Sequence, residues 1–128
     1  MMAAAVLYRA HFVLYVREQR ASTVFYRSVL AVEPTLDVPG MTEIPLPGGA
    51  ILGLMPEAGI TRLLAIVPPR ADARAELYLM VDEPSEYHAR ALAAGGRELS
   101  ALADRDWGHR VAYSSDLDGH VLAFARAR

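Results

Sequence analysis

The chain repeats itself, and that recurrence limits the folds open to it more than any other feature. Val16 and Val81, Glu18 and Glu83, and Glu33 and Glu98 are each 65 residues apart. At the end of each half, GGAILGL (residues 48–54) lies over DGHVLAF (residues 118–124) at an offset of 70. The five additional residues fall in the loop from Asp104 to Gly108. A single match among common residues would mean little. The same order of elements, with register kept at both ends, points to an internal duplication.

Periodicity places like elements in both halves. Residues 8–16, β-branched and aromatic, read as a strand, and residues 18–30 as a helix with a stripe of Val24, Phe25, Ser28 and Val29. Short strands follow at about 34–38, 41–46 and 50–55, with a hairpin turn at Pro47-Gly48-Gly49. Residues 57–74 hold Gly59, Pro68-Pro69 and Asp72 without a sustained period and read as a connection. The pattern then restarts with a strand at 76–81 and a helix at 84–94, closed by Gly95-Gly96. Strands at about 97–102, 109–114 and 120–125 complete it. The expected fold class is α+β: two βαβββ modules, about 5–56 and 75–128, in one domain spanning 1–128. One module cannot bury both faces of its sheet. Two can share a core, with helices outside and inner faces enclosing a concave cleft.

Composition narrows the function. The 128 residues include no cysteine, so thiolate metal sites, cysteine nucleophiles and thiol redox chemistry are excluded. With 53% hydrophobic and 22% charged residues the chain is too apolar for disorder. Its net charge is −2, and its 13 basic residues, all arginine, form no run, so no nucleic-acid partner is expected. The apolar start, residues 1–8, is too short to span a bilayer and has no basic segment ahead of it. Neither membrane association nor a leader is expected, and the expected location is cytoplasmic.

Strand alternation sorts the candidate site residues. His11 shares its face with Val13 and Tyr15, and Glu76 shares its face with Tyr78 and Met80. Ile51, Gly53 and Met55, and then Val121, Ala123 and Ala125, come from the last strand of each half. The other phase (Phe12, Leu14, Leu52, Leu54, Leu77, Leu79, Leu122 and Phe124) is more uniformly apolar and is expected under the helices. His11 and Glu76 are equivalent positions of the repeat, and a His and a carboxylate meeting in one cleft would form an acid–base or ion pair. Trp107 stands in a polar loop beside Asp106, His109 and Arg110, either packed as a corner or stacked on a planar ligand. His88 and His120 are expected in solvent, while Asp116, Asp118 and Gly119 read as turn chemistry.

The stretch HFVLYVREQRASTVFYRSVLAVEP, from His11, resembles the opening of the vicinal-oxygen-chelate superfamily, which includes glyoxalase I, bleomycin-resistance proteins and extradiol dioxygenases. The tail DWGHRVAYSSDLDGHVLAFA is similar to that superfamily's closing hairpin, with Leu117 where proline is usual. The resemblance implies a homodimer and a divalent metal held by one residue on each of four strands. Carried over, those positions are His11, Gly53, Glu76 and Ala123, and two of the four have no donor atom. No cofactor is therefore expected, with a weakly held divalent metal as the alternative.

The expected function is binding of a small, partly aromatic organic molecule in an apolar cleft lined by Val13, Tyr15, Ile51, Gly53, Met55, Tyr78, Met80, Trp107 and Ala123. Gly53 and Ala123 would leave room there for the ligand. The alternative is an enzyme, a lyase, isomerase or dioxygenase, using His11 and Glu76 as catalytic acid and base or as partial metal ligands.

Overall fold

In the computed structural model, residue 7, residues 9–65 and residues 75–128 are described. The elements run β1 (His11–Val16), α1 (Gln19–Leu30), β2 (Leu36–Val38), β3 (Met41–Pro45), β4 (Ile51–Pro56), α2 (Glu57–Leu64), β5 (Glu76–Met80), α3 (Pro84–Ala93), β6 (Arg97–Asp104), β7 (His109–Ser115) and β8 (Val121–Ala127). They form two four-stranded sheets of identical topology, β1-β4-β3-β2 and β5-β8-β7-β6. In each, the outer first strand pairs parallel with the last, and the remaining pairs are antiparallel. The fold is α+β, built from two βαβββ modules.

The duplication extends to residue register. Val13 stands opposite Gly53 and Tyr78 opposite Ala123, so the offsets of 65 and 70 meet in matching pairs. Val38 stands opposite Met41, and Ala103 opposite Val111, which places the five added residues between β6 and β7. That longer connection brings Trp107 with it.

The chain groups into two compact units, residues 1–19 with 32–68 and residues 20–31 with 69–128. Helix α1 therefore belongs with the second sheet. Its Tyr26 hydroxyl donates to the buried Asp116 carboxylate at 2.7 Å, and its Val29 carbonyl accepts from Arg90 of α3 at 3.5 Å. The buried stripe of α1 is Ser22, Thr23, Phe25, Tyr26 and Val29, whereas Val24 and Ser28, expected inside, face out. Phe25 and Tyr26 pack edge to face at 5.1 Å.

In the second unit, Leu122 and Phe124 are fully buried on the helix side, with Tyr87 of α3 5.7 Å from the Phe124 ring. Leu52 and Leu54 are buried in the first unit as well, but Phe12, expected inside, is 55% exposed. It lies on β1, an edge strand of its sheet, whose burial begins only toward Val16. The expected connection at 57–74 begins instead as α2, which buries Ile60; residues 66–74 lie outside the described residues. Gly96 is dictated by close approach: a Cβ there would meet the Ser115 carbonyl oxygen and stand 2.8 Å from that of Ala91.

Candidate functional site

The face of the second sheet turned away from α3 carries a cluster of polar and aromatic side chains. The β5, β8 and β7 registers set Tyr78, Ala123 and Tyr113 in one row, with Glu76, Met80 and His109 in the same phase. Val111, Ala123 and Ala125 form the buried floor, with Tyr78 and Tyr113 packed against it. The small side chains of β8 let the flanking tyrosines lie across the sheet.

Three rings converge on one oxygen. Trp107 Nε1 donates to Tyr78 Oη at 2.9 Å, and Tyr78 Oη lies 2.6 Å from His109 Nδ1. An indole N–H only donates, so the phenol oxygen accepts from Trp107, while the direction of its bond with His109 follows the imidazole tautomer. The loop is thereby folded back over β5, and Trp107 stays 56% exposed. Beside this group, the Arg105 guanidinium lies 5.2 Å over the Tyr113 ring. It is pinned there by Ser100 Oγ and by the carbonyls of Ala101 and Val111 at 2.9–3.1 Å. The Tyr113 hydroxyl titrates above its ordinary range because of burial, then the Glu76 carboxylate and Tyr78, against the opposing charge of Arg105. Sequence reasoning named Tyr78, Met80, Trp107, Ala123 and Glu76 but missed Tyr113 and Arg105 as their partners.

On the first sheet, His11, Val13 and Tyr15 share a face with Ile51, Gly53 and Met55 and with Glu43 of β3. Of the named residues, Tyr15, Ile51 and Met55 are half-buried, while His11 and Val13 are more open. The carboxylate nearest His11 in its own unit is Glu43, which the sequence reading did not single out. Its Oε2 stands 3.3 Å from His11 Nδ1, while Arg9 donates to His11 Nε2 at 3.1 Å. Glu43 sits directly opposite Gly53, and the missing side chain there opens the way from β3 to β1.

The room expected at Gly53 and Ala123 is largely taken. A Cβ on Gly53 would stand 3.1 Å from Val13 Cγ2 and 3.4 Å from Met41 Sδ. Ala123 is wholly buried in the floor of its sheet. Neither offers a donor atom, and both ring nitrogens of His11 already have partners, so these four positions do not fit a divalent metal held from four strands.

A different group offers three ligand atoms: Asp116, Asp118 and His120, within 4.8 Å of one another. Its geometry is that of a braced turn. Asp116 Oδ1 accepts the backbone N–H groups of Asp118 and His120 at 2.9 and 2.8 Å, while Oδ2 meets the Tyr26 hydroxyl and His120 Nδ1, both at 2.7 Å. Gly119 takes φ +90°, as the turn requires. Burial pushes the Asp116 carboxyl up, but the bonds from His120 and Tyr26 together hold it below its ordinary value. The hydroxyl of Tyr26 is pushed well up by burial and then by Asp116. The turn reading holds, but the two histidines expected in solvent do not behave so. His120 is tied to Asp116, and His88 is buried against Glu98 at 2.8 Å.

Paired βαβββ modules with a first-to-last parallel strand pair define a class of fold, and the sequence places the chain within it. It belongs to the Glyoxalase/Bleomycin resistance protein/Dioxygenase superfamily, whose profile matches residues 9–124. Among solved structures it is similar to a glyoxalase-related enzyme from Fulvimarina pelagi, with TM-score 0.83, 22% identity, and coverage of 91% of this chain and 86% of that one. A glyoxalase/bleomycin resistance protein/dioxygenase family enzyme from Burkholderia phytofirmans PsJN gives TM-score 0.82 at 18% identity, covering 93% and 98%. A glyoxalase/bleomycin resistance protein from Albidiferax ferrireducens T118 gives 0.72 at 20%, covering 93% and 98%. At these identities the likeness speaks for the fold. No curated protein matches the chain significantly.

Proposed function

We propose that this protein binds a small, partly aromatic organic molecule on the Tyr78 face of its second sheet, without a resident metal. The observation that carries this reading is the Trp107–Tyr78–His109 group. One hydrogen bond ties a half-exposed indole to the Tyr78 phenol, which also meets His109, and Tyr78 packs on an apolar floor with Tyr113 and its Arg105 alongside. Such a surface offers planar stacking area at low entropic cost, plus a few fixed polar contacts. The absence of donors at Gly53 and Ala123 supports a site that works without metal.

Trp107 is the only tryptophan, so its emission reports the site directly. Titration with a panel of one- and two-ring aromatics should quench or shift that emission saturably. Tyr78→Phe should weaken the tightest binder several-fold, about tenfold at most, by releasing the indole. Emission that responds to none of the panel refutes the reading. Elemental analysis finding one divalent metal per purified chain would refute its metal-free part.

One observation favours an enzyme as the second reading. The Tyr78 phenol, 2.6 Å from an imidazole, is a ready proton donor–acceptor pair, better supported than the expected pairing of His11 with Glu76. A bound aromatic recovered chemically changed, and recovered intact from Tyr78→Phe, would establish that reading. The protein is further proposed to act in the cytoplasm as a homodimer. β1 is an edge strand with Phe12 and Val13 exposed, an edge that needs cover. Sedimentation at twice the monomer mass is the expected result, and a monomer at micromolar concentration would refute it.

A further inference from the structure

The second unit holds another cavity, on the opposite face of its sheet from Tyr78 and Trp107. It measures about 250 Å³ and is lined by Asp104, Arg110, Arg126, Ala127 and Arg128. Arg126 follows the buried Phe124 by two residues on β8 and so shares its face, while Arg110 is its direct cross-strand neighbour on β7. Two like charges set opposite one another in a sheet repel, so an anion bound between them would relieve the pair.

The only side-chain carboxylate in the lining is Asp104. Arg110 Nε donates to its Oδ1 at 2.9 Å, and Arg128 Nε stands 3.7 Å from its Oδ2. The bond from Arg110 is the main reason the Asp104 carboxyl sits below its ordinary range. The Arg126 guanidinium has no partner among the described residues. Three guanidiniums against one carboxylate leave the lining side chains with a surplus of two positive charges. Arg128 is further fixed by its backbone N–H, which donates to the Gly108 carbonyl at 3.0 Å.

We infer that Arg110, Arg126 and Arg128 form a binding site for a tetrahedral dianion, a phosphate or phosphate monoester. Guanidinium forks match phosphate oxygens in pairs, and a phosphate monoester carries roughly −1.5 to −2 charges at neutral pH, opposite in sign to the surplus on the side chains. Asp104 holds the Arg110 fork in place while leaving Arg126 to engage the anion. This inference stands apart from the aromatic site, since it rests on different residues on the other face.

The test uses the whole chain, with inorganic phosphate and glycerol 3-phosphate as probes, read by the Nε–H signals of the arginine side chains in ¹H–¹⁵N spectra. Saturable shifts confined to Arg110, Arg126 and Arg128 are expected, with a dissociation constant on the order of 1 mM or below, weakening as salt is raised. Tighter binding of the monoester than of free phosphate would assign a phosphorylated metabolite, and the reverse would assign the free ion; either supports the site. Arg126→Ala should weaken binding about tenfold or more, with Arg126→Lys falling between. The exposed Arg62→Ala serves as a control that should change nothing. Shifts that do not saturate, that spread evenly over all 13 arginines, or that survive Arg126→Ala unchanged would overturn the inference.

Discussion

Replacing Tyr26 with phenylalanine tests what holds α1 in the second unit. The substitution keeps the ring, and with it the edge-to-face contact with Phe25, and deletes only the hydroxyl that meets Asp116 at 2.7 Å. Both partners are nearly inaccessible, at 1% and 5% exposure, so water cannot replace the lost donor. A hydrogen bond to a charged group contributes about 1.5–3 kcal/mol. Three other N–H contacts remain on Asp116, which favours the lower half, about 1.5–2 kcal/mol. For a chain of this length that is a fall in Tm of about 5–10 °C.

The pH dependence has a definite sign. The folded pKa of Asp116 lies below its unfolded value of about 3.9, so its stabilisation is present above that value and is lost as pH falls through the folded pKa. The folded pKa of Tyr26 lies above its unfolded value of about 10, so its share is present below pH 10 and is lost as pH rises through the folded pKa. The gap between wild type and Tyr26→Phe should therefore be widest between about pH 5 and 9 and should narrow at either extreme. Urea denaturation across that range measures it. A Tm within about 2 °C of wild type, or a gap that does not change down to pH 3, would refute the assignment of Asp116 as an ionised acceptor for Tyr26.

Gly96→Ala should cost about 1–3 kcal/mol, because the added methyl meets backbone oxygens that cannot rotate away; an unchanged thermal melt would contradict this. Gly53→Glu puts a second carboxylate opposite Glu43 and against Val13, so Tm should fall and zinc should restore part of the loss through His11 and the two acids. An equal gain for wild type with zinc would show that the native chain already chelates. Because all four accepting positions of Asp116 are in use, calcium or manganese should leave the wild-type melt unchanged, and a rise of several degrees would make that turn a metal site.

Much of the fold was legible because a duplication leaves two independent readings of one pattern. The offsets of 65 and 70 reappear as matched cross-strand pairs, and the inserted loop lies where the offsets change. Helix α2 was not legible: it spans eight residues and buries only Ile60, and two turns beside Gly59 are too few to tell a helix from the connection that follows. Phe25 and Val29 of the expected α1 stripe are buried, but Ser22, Thr23 and Tyr26 were missed because the unit a helix packs in is settled by tertiary grouping, which its own sequence does not carry. For the site, alternation put Tyr78, Met80 and Ala123 on one face. It did not show that the Trp107 loop folds back onto Tyr78, nor that Glu43, two strands away, reaches His11. Extending the alternation to β3 would have placed Glu43 opposite Gly53, and extending it to β7 would have placed Tyr113 beside Ala123.

The central claim is that the Trp107–Tyr78–His109 face of the second sheet is where a ligand rests. Intermolecular proton–proton contacts by NMR, measured with the tightest binder of the aromatic panel, test it most directly. The account predicts contacts from the ligand ring to the Trp107 indole and to the Tyr78 and Tyr113 rings. A saturating ligand whose contacts fall instead on other residues, with the Trp107 and Tyr78 protons unaffected, would contradict it.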